Sequence, residues 1–134
     1  LSSIPSSATI TSAKLTLFST TTPLNGDLIH ANSGPDNTML IQRVTGSWSE
    51  ATTNWANQPG GDAASQIVIP HTTQPFLDLV DIDVTNQVKA MVAGSNNGFL
   101  LKLQTEAIYN SRLFYSMKAA DTTKRPRLVV QYSN

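Results

Sequence analysis

The sequence predicts an all-β fold, a jelly-roll-like β-sandwich of antiparallel strands with one short helix at about residues 85–93. Three observations predict it. Short apolar-alternating runs recur along the chain, separated by Gly, Pro, Asn and Asp turn signals. Ser and Thr supply 30 of the 134 residues, with Thr favouring strands and Ser favouring turns. The period changes from two to 3.6 at one place only, where Val84, Val88, Met91 and Val92 fall at helical spacing.

The elements follow in order. Ala8 to Ser19 reads as a strand, with Leu15 and Leu17 on one face and Lys14, Thr16 and Phe18 on the other. Thr21 to Gly26 holds Pro23 and Asn25-Gly26 and reads as a turn. Leu28 to His30 is a short strand, and Ser33 to Asn37 is a loop. Met39 to Val44 is a strand with apolar residues on both faces: Met39 and Ile41 on one, Leu40 and Val44 on the other. Such a strand is buried on both sides or lies in an interface. An ordered loop carrying both tryptophans follows, and Gly60-Gly61-Asp62 is flexible by composition. Ile67 to Ile69 is a strand stopped by Pro70. Phe76 to Val84 is another, interrupted by Asp78, Asp81 and Asp83. Thr85 is the expected helix N-cap, with Asp83 as the alternative, and Gly94 is the stop. Gly98 to Gln104, Arg112 to Met117 and Arg127 to Tyr132 close the set.

Residues 1–134 are the size of one domain, and the absence of an initiator Met marks the segment as part of a longer chain. The net charge of +0 argues against a nucleic-acid partner, which demands a basic surplus. No run is long and apolar enough for membrane insertion. Zero cysteine with a hydroxyl-rich, neutral surface fits an exported bacterial or archaeal protein, extracellular or at the cell surface.

Scattered along this pattern are pieces that resemble the DNRLRE-type domain, a β-sandwich module of bacterial and archaeal secreted and surface proteins. They are Leu1-Ser-Ser-Ile-Pro5 with Ala8-Thr-Ile-Thr-Ser-Ala-Lys-Leu-Thr-Leu17; Val44-Thr-Gly-Ser-Trp48-Ser-Glu50 with Thr53-Asn-Trp55 and Gln58-Pro59; Asp83-Val-Thr85; Asn97-Gly-Phe99; Phe114-Tyr-Ser116; and Arg125-Pro-Arg-Leu-Val-Val130. The likeness covers essentially the whole chain. Some members are carbohydrate-binding modules, so the resemblance implies a non-catalytic polysaccharide binder. The family helix commonly carries Trp where Met91 stands. Family members also carry strands ahead of the position of Leu1. The lack of those strands implies either a cut upstream peptide or a neighbouring chain that completes an open sheet edge. This second route leads to a different reading: a structural subunit of a surface filament, layer or adhesin, assembled by strand complementation.

Candidate sites divide by chemistry. Trp48 and Trp55 could stack on the apolar face of a pyranose. The resemblance favours a structural role instead, in which both pin the loop to the core and Glu50 accepts from nearby backbone N–H groups. Tyr109, in a turn beside Asn110, is the expected exposed aromatic and the better stacking candidate. Arg43, Lys102, Arg112 and Lys124 could receive a uronate or a sulfated sugar. Lys102 lies between Leu101 and Leu103 and faces away from the core, as a solvated charge would. Arg125 and Arg127 read as edge protection. Asp78, Asp81 and Asp83, with Asp62 or Asp36, could hold a structural Ca²⁺. Asp81 and Asp83 share a strand face, and Asp83 also serves as a cap.

Catalysis lacks a constellation. His30 and His71 have no ligand-spaced partner, there is no nucleophile elbow, and nothing couples Glu50 to Glu106 as a glycosidase pair.

Overall fold

A computed structural model describes residues 1, 3–22 and 29–134. Residues 23–26 of the expected turn from Thr21 to Gly26 lie outside the described residues, as does Leu28; Ile29 and His30, expected to continue a strand from Leu28, are not in one. Among the described residues, eight strands and one α-helix run in the order β1 (Thr9–Leu17), β2 (Asn32–Ser33), β3 (Met39–Arg43), β4 (Ile67–Ile69), β5 (Leu79–Asp83), α1 (Thr85–Ala93), β6 (Phe99–Leu103), β7 (Ser111–Arg112) and β8 (Arg127–Ser133). All strand pairs are antiparallel. They form three sheets, ordered β5-β1-β8, β4-β3-β6 and β2-β7, with no closed barrel among the described residues. No helix among them is long and apolar enough to cross a membrane.

The two three-stranded sheets face each other across one core. Ile10, Ala13, Leu15 and Leu17 of β1 meet Met39 and Ile41 of β3, with Leu79 of β5 and Val84 and Val88 closing one end. A register shift between Ile10 and Ser12 brings Ile10 onto the face of Ala13; from Ala13 on this is the expected alternation of β1, with one departure. Thr16 should face solvent but is only 1 % exposed. The cause is a bulge. Leu15 pairs with Ile82 and Leu17 with Leu79, so Val80 and Asp81 together oppose Thr16. Asp81 turns into the left-handed region at φ 54. Its N–H donates to Thr16 Oγ1 at 3.2 Å, and that hydroxyl lies 3.4 Å from Asp81 Oδ1 as donor. The threonine hydroxyl thus pairs with the groups that the bulge would otherwise leave open.

β3 is buried on both faces, as its sequence demanded: Met39, Leu40, Ile41 and Gln42 are each less than 9 % exposed. Its register to β6 pairs Leu40 with Lys102 and Gln42 with Leu100 on the outer face, and Ile41 with Leu101 on the inner. The expected strand from Arg112 to Met117 is shorter, ending at Arg112. Beyond it the backbone joins the end of β1 through one bridge, Ser19 to Phe114, flanked by Thr20 N–H to Leu113 O and Tyr115 N–H to Phe18 O.

The helix occupies Thr85–Ala93 and stops at Gly94, with Val88 and Met91 on its buried face. Thr85 is not its cap. Its hydroxyl accepts from Ala13 N–H at 2.9 Å, tying the helix to β1. The Asp83 carboxylate accepts from Thr85 N–H at 3.0 Å, which is the alternative the sequence offered.

Candidate functional site

The outer face of β3 and β6 forms the floor of a groove of about 700 Å³. Gln42, Leu100 and Lys102 lie on this floor, Trp55 and Gln58 to Gly61 wall one side, and Glu106 stands at the end of β6. The register explains the floor, because Gln42 sits opposite Leu100, one pair from Lys102.

The wall is a loop that bonds to itself. Ser49 O accepts from Thr52 and Thr53 N–H, and Ser49 N–H donates to Thr53 Oγ1. Asn54 Oδ1 accepts from Ala56 N–H at 2.9 Å, Asn57 Oδ1 from Asn54 N–H at 2.6 Å, and Asn57 Nδ2 donates to Thr52 O at 3.0 Å. These side chains mimic backbone turns. They hold Trp55 at the apex with 74 % of its surface exposed. The loop returns to β3 where Thr45 bonds Gly60 O through both N–H and hydroxyl, and Val44 bridges Gly61. Gly61 must be glycine for space, since a Cβ there would lie 2.8 Å from Gln42 Cβ and 2.1 Å from its Oε1. Gln42 in turn donates from Nε2 to Gln66 Oε1 at 2.7 Å.

Neither tryptophan packs into the core as expected; Trp48 instead makes one tie to the backbone ahead of β6. Its indole N–H donates to Asn97 O at 2.7 Å, although 53 % of the residue remains exposed. Trp55 does not pack on the core. Glu50 does not serve the backbone either; its Oε1 pairs with Lys118 Nζ at 3.2 Å, both side chains largely exposed.

The cations separate into free and committed. Lys102 lines the groove and forms no ion pair with a described residue. Arg43 is tied to Asp62 at 3.3 Å. Asp62 also accepts from Ala64 N–H and from Ser65 Oγ, and the Ser65 hydroxyl leads the contacts that hold its carboxyl below the usual range. Arg112 is not among the groove's lining residues and is a strut: Nε donates to Asn37 O at 2.9 Å, and Nη2 to Asn37 Oδ1 at 3.3 Å and to Pro70 O. Its half-burial lowers the guanidinium pKa by disfavouring the charge. Lys124 sits over the Phe18 ring, 5.1 Å from its centroid, and Arg125 Nε donates to Ala119 O. Arg127 is exposed at the start of β8, an outer strand of its sheet.

Tyr109 is exposed as expected, at 84 %, in a turn held by Asn110, whose Nδ2 donates to Thr105 O and whose Oδ1 accepts from Asp36 N–H. Gly34, at φ 89, lets this turn approach; a Cβ there would sit 2.7 Å from Asn110 Cα. Tyr109 is not among the groove's lining residues.

The acidic residues are apart. Asp78 accepts from Ser19 N–H at 2.8 Å, Asp81 serves the bulge, and Asp83 pairs with Lys14 Nζ at 2.7 Å. Asp36 accepts from Thr38 N–H and Thr105 Oγ1. No three acidic or histidine side chains gather into a metal-ligand group among the described residues. The bulge that turns Asp81 is what separates it from Asp83.

Sequence reasoning missed Asn37, which is fully buried. Its Nδ2 donates to Thr72 O and Ser33 O, its Oδ1 accepts from Thr72 N–H and Arg112, and its N–H donates to His71 Nδ1. No periodicity marks such a residue. It also missed the apex position of Trp55, for which the flanking Asn54 and Asn57 were a readable turn signal.

An exposed indole beside amides, a lysine and a carboxylate over an open groove is a surface for a flat, hydroxylated ligand. Comparison with known families decides which. The chain matches carbohydrate-binding module family 96 over residues 1–132. It belongs to that family. No curated protein and no solved structure matches it. As a member of family 96 the protein is a carbohydrate-binding module, and its role is non-catalytic.

Proposed function

We propose that this family 96 module binds a polysaccharide along the groove between the Trp55 loop and β6. The exposure of Trp55 at the apex of a self-bonded loop carries the reading. A rigid indole can cover the apolar face of a sugar ring with little ordering cost. Lys102, Glu106 and Gln58 supply donors and acceptors for hydroxyls around that ring. The groove is open rather than enclosing, which suits an extended chain. Tyr109 is set aside as the main platform because it lies outside the groove lining. Residues 1–134 would act as a single sandwich module of an extracellular or surface protein from a bacterium or archaeon. The DNRLRE-type motifs and the cysteine-free, hydroxyl-rich composition support that setting.

Titration of the protein with alginate, pectin, cellulose and chitin, followed by tryptophan fluorescence, tests the reading. At least one should bind and perturb the Trp55 signal, separated from that of Trp48 in Trp48→Phe and Trp55→Phe variants. No binding at millimolar concentration, or a signal confined to Trp48, would remove the groove as the site.

A further inference from the structure

Asn97-Gly98 leads into β6, and it is the one asparagine–glycine pair among the described residues. Its two carbonyls are committed. Asn97 O accepts from the Trp48 indole N–H at 2.7 Å, and Gly98 O accepts from Val44 N–H at 2.9 Å. The groups between them are not. The Asn97 side-chain amide and the Gly98 N–H form no hydrogen bond with a described residue. Gly98 stands at φ 86, and a Cβ there would meet nothing within 4 Å. The Asn97 side chain can therefore swing its carbonyl carbon onto the Gly98 nitrogen.

Other asparagines are guarded. Asn32 Nδ2 donates to Gln74 O at 3.1 Å, Asn57 Nδ2 to Thr52 O at 3.0 Å and Asn110 Nδ2 to Thr105 O at 3.1 Å. Asn37 is fully buried with both amide atoms bonded. Each of the four precedes a residue whose side chain crowds the approach to its nitrogen, as glycine does not.

We propose that Asn97 deamidates spontaneously in the folded protein, and that this modification unfastens the Trp48 tie. The Gly98 nitrogen attacks Asn97 Cγ. A bond from that nitrogen to Cγ forms, the bond from Cγ to Nδ2 breaks, and Nδ2 leaves as ammonia with the Gly98 amide proton. Water then opens the cyclic imide, giving its hydroxyl to one carbonyl carbon and its proton to the nitrogen. Opening at Cγ leaves aspartate. Opening at the main-chain carbonyl leaves isoaspartate, in which the chain runs through the former side chain and is one atom longer. The oxygen that Trp48 bonds then belongs to a carboxylate outside the backbone, and Gly98 loses its place beside Val44. The reaction consumes only solvent water, and the proposal is independent of the sugar-binding reading.

Ageing the protein in mildly alkaline buffer, which speeds loss of the Gly98 amide proton, tests it. Trypsin releases residues 90–102 apart from residues 15–43, which hold the other asparagine–glycine pair of the sequence, Asn25-Gly26. In the native protein the 90–102 fragment should gain aspartate and isoaspartate at Asn97, at a rate within about tenfold of that in the guanidinium-unfolded chain. Asn96, its neighbour in the same fragment, should stay intact. Trp48 emission, read alone in Trp55→Phe, should shift to the red in step with the isoaspartate content, and should hold still when Asn97→Gln is added. A stronger protection by the fold, conversion at Asn96 rather than Asn97, or Trp48 emission unmoved as isoaspartate accumulates would overturn the proposal. Should Asn97→Gln fail to fold, the native and unfolded rates still decide.

Discussion

Replacing Trp55 by alanine should separate binding from folding. With 74 % of its surface already exposed, the residue contributes little to the core, and an exposed truncation of this kind changes stability by no more than about 0.5 kcal/mol. Its contribution to a bound sugar is larger. One face of the indole covers on the order of 80 Å², a fraction of the 150–250 Å² that an aromatic residue can bury. At about 25 cal/mol per Å² this comes to about 2 kcal/mol, or roughly a 30-fold loss of affinity. Trp48→Ala makes the contrast. It deletes the bond to Asn97 O, worth about 1 kcal/mol, and its effect should appear in the unfolding midpoint before it appears in binding. Calorimetric titration with the bound polysaccharide gives the affinities, and urea unfolding followed by circular dichroism gives the stabilities. The reasoning fails if Trp55→Ala binds within twofold of the parent protein. It fails equally if the affinity lost is matched by stability lost.

Further outcomes concern the frame. Asn37→Ala strips partners from Thr72, Arg112 and the carbonyls of Thr72 and Ser33; leaving these groups unpaired in the interior should cost about 3 kcal/mol, read as a lower denaturant midpoint, and a shift under about 1 kcal/mol would contradict the hub. Asp83 has its carboxyl held well below 3.8, first by the Lys14 ammonium and then by Thr85. A depressed folded pKa stabilises the fold at pH above the unfolded value and loses that effect as pH falls toward the folded one. The stability gap between the parent and Asp83→Asn should therefore be constant from neutrality to about pH 5 and shrink below 3.8. A gap that persists unchanged at pH 2 would refute the pairing.

Much of this frame was readable. Periodicity located α1 at its observed limits, because Val84, Val88 and Met91 can share a face only in a helix. Ile67–Ile69 was bounded by Pro70, and the two-sided apolar pattern of β3 did mean burial on both sides. What escaped were effects decided across the chain. The burial of Thr16 depends on a bulge in a strand more than sixty residues away, which no local pattern of β1 records. The pairing beyond Arg112 is cut short because its partner is the end of β1, where only Ser19 and Phe114 stand in bridge register. At the site, residue type suggested sugar stacking, while the choice between Trp55 and Tyr109 required knowing which one borders the floor of β3 and β6. Arg43 and Arg112 looked available as cations, and only the positions of Asp62 and Asn37 show that they are spoken for.

The wall carrying Trp55 touches the sandwich through few points: Thr45 with Gly60, Val44 with Gly61, and Trp48 with Asn97. Between those points its order comes from its own Ser, Thr and Asn side chains. Substitutions at residues 54–58 can then alter which glycan is recognised without drawing on the energy that keeps the chain folded. Selection on ligand choice and selection on stability act on different residues. A loop of this construction can diverge quickly while β1, β3 and α1 stay as they are.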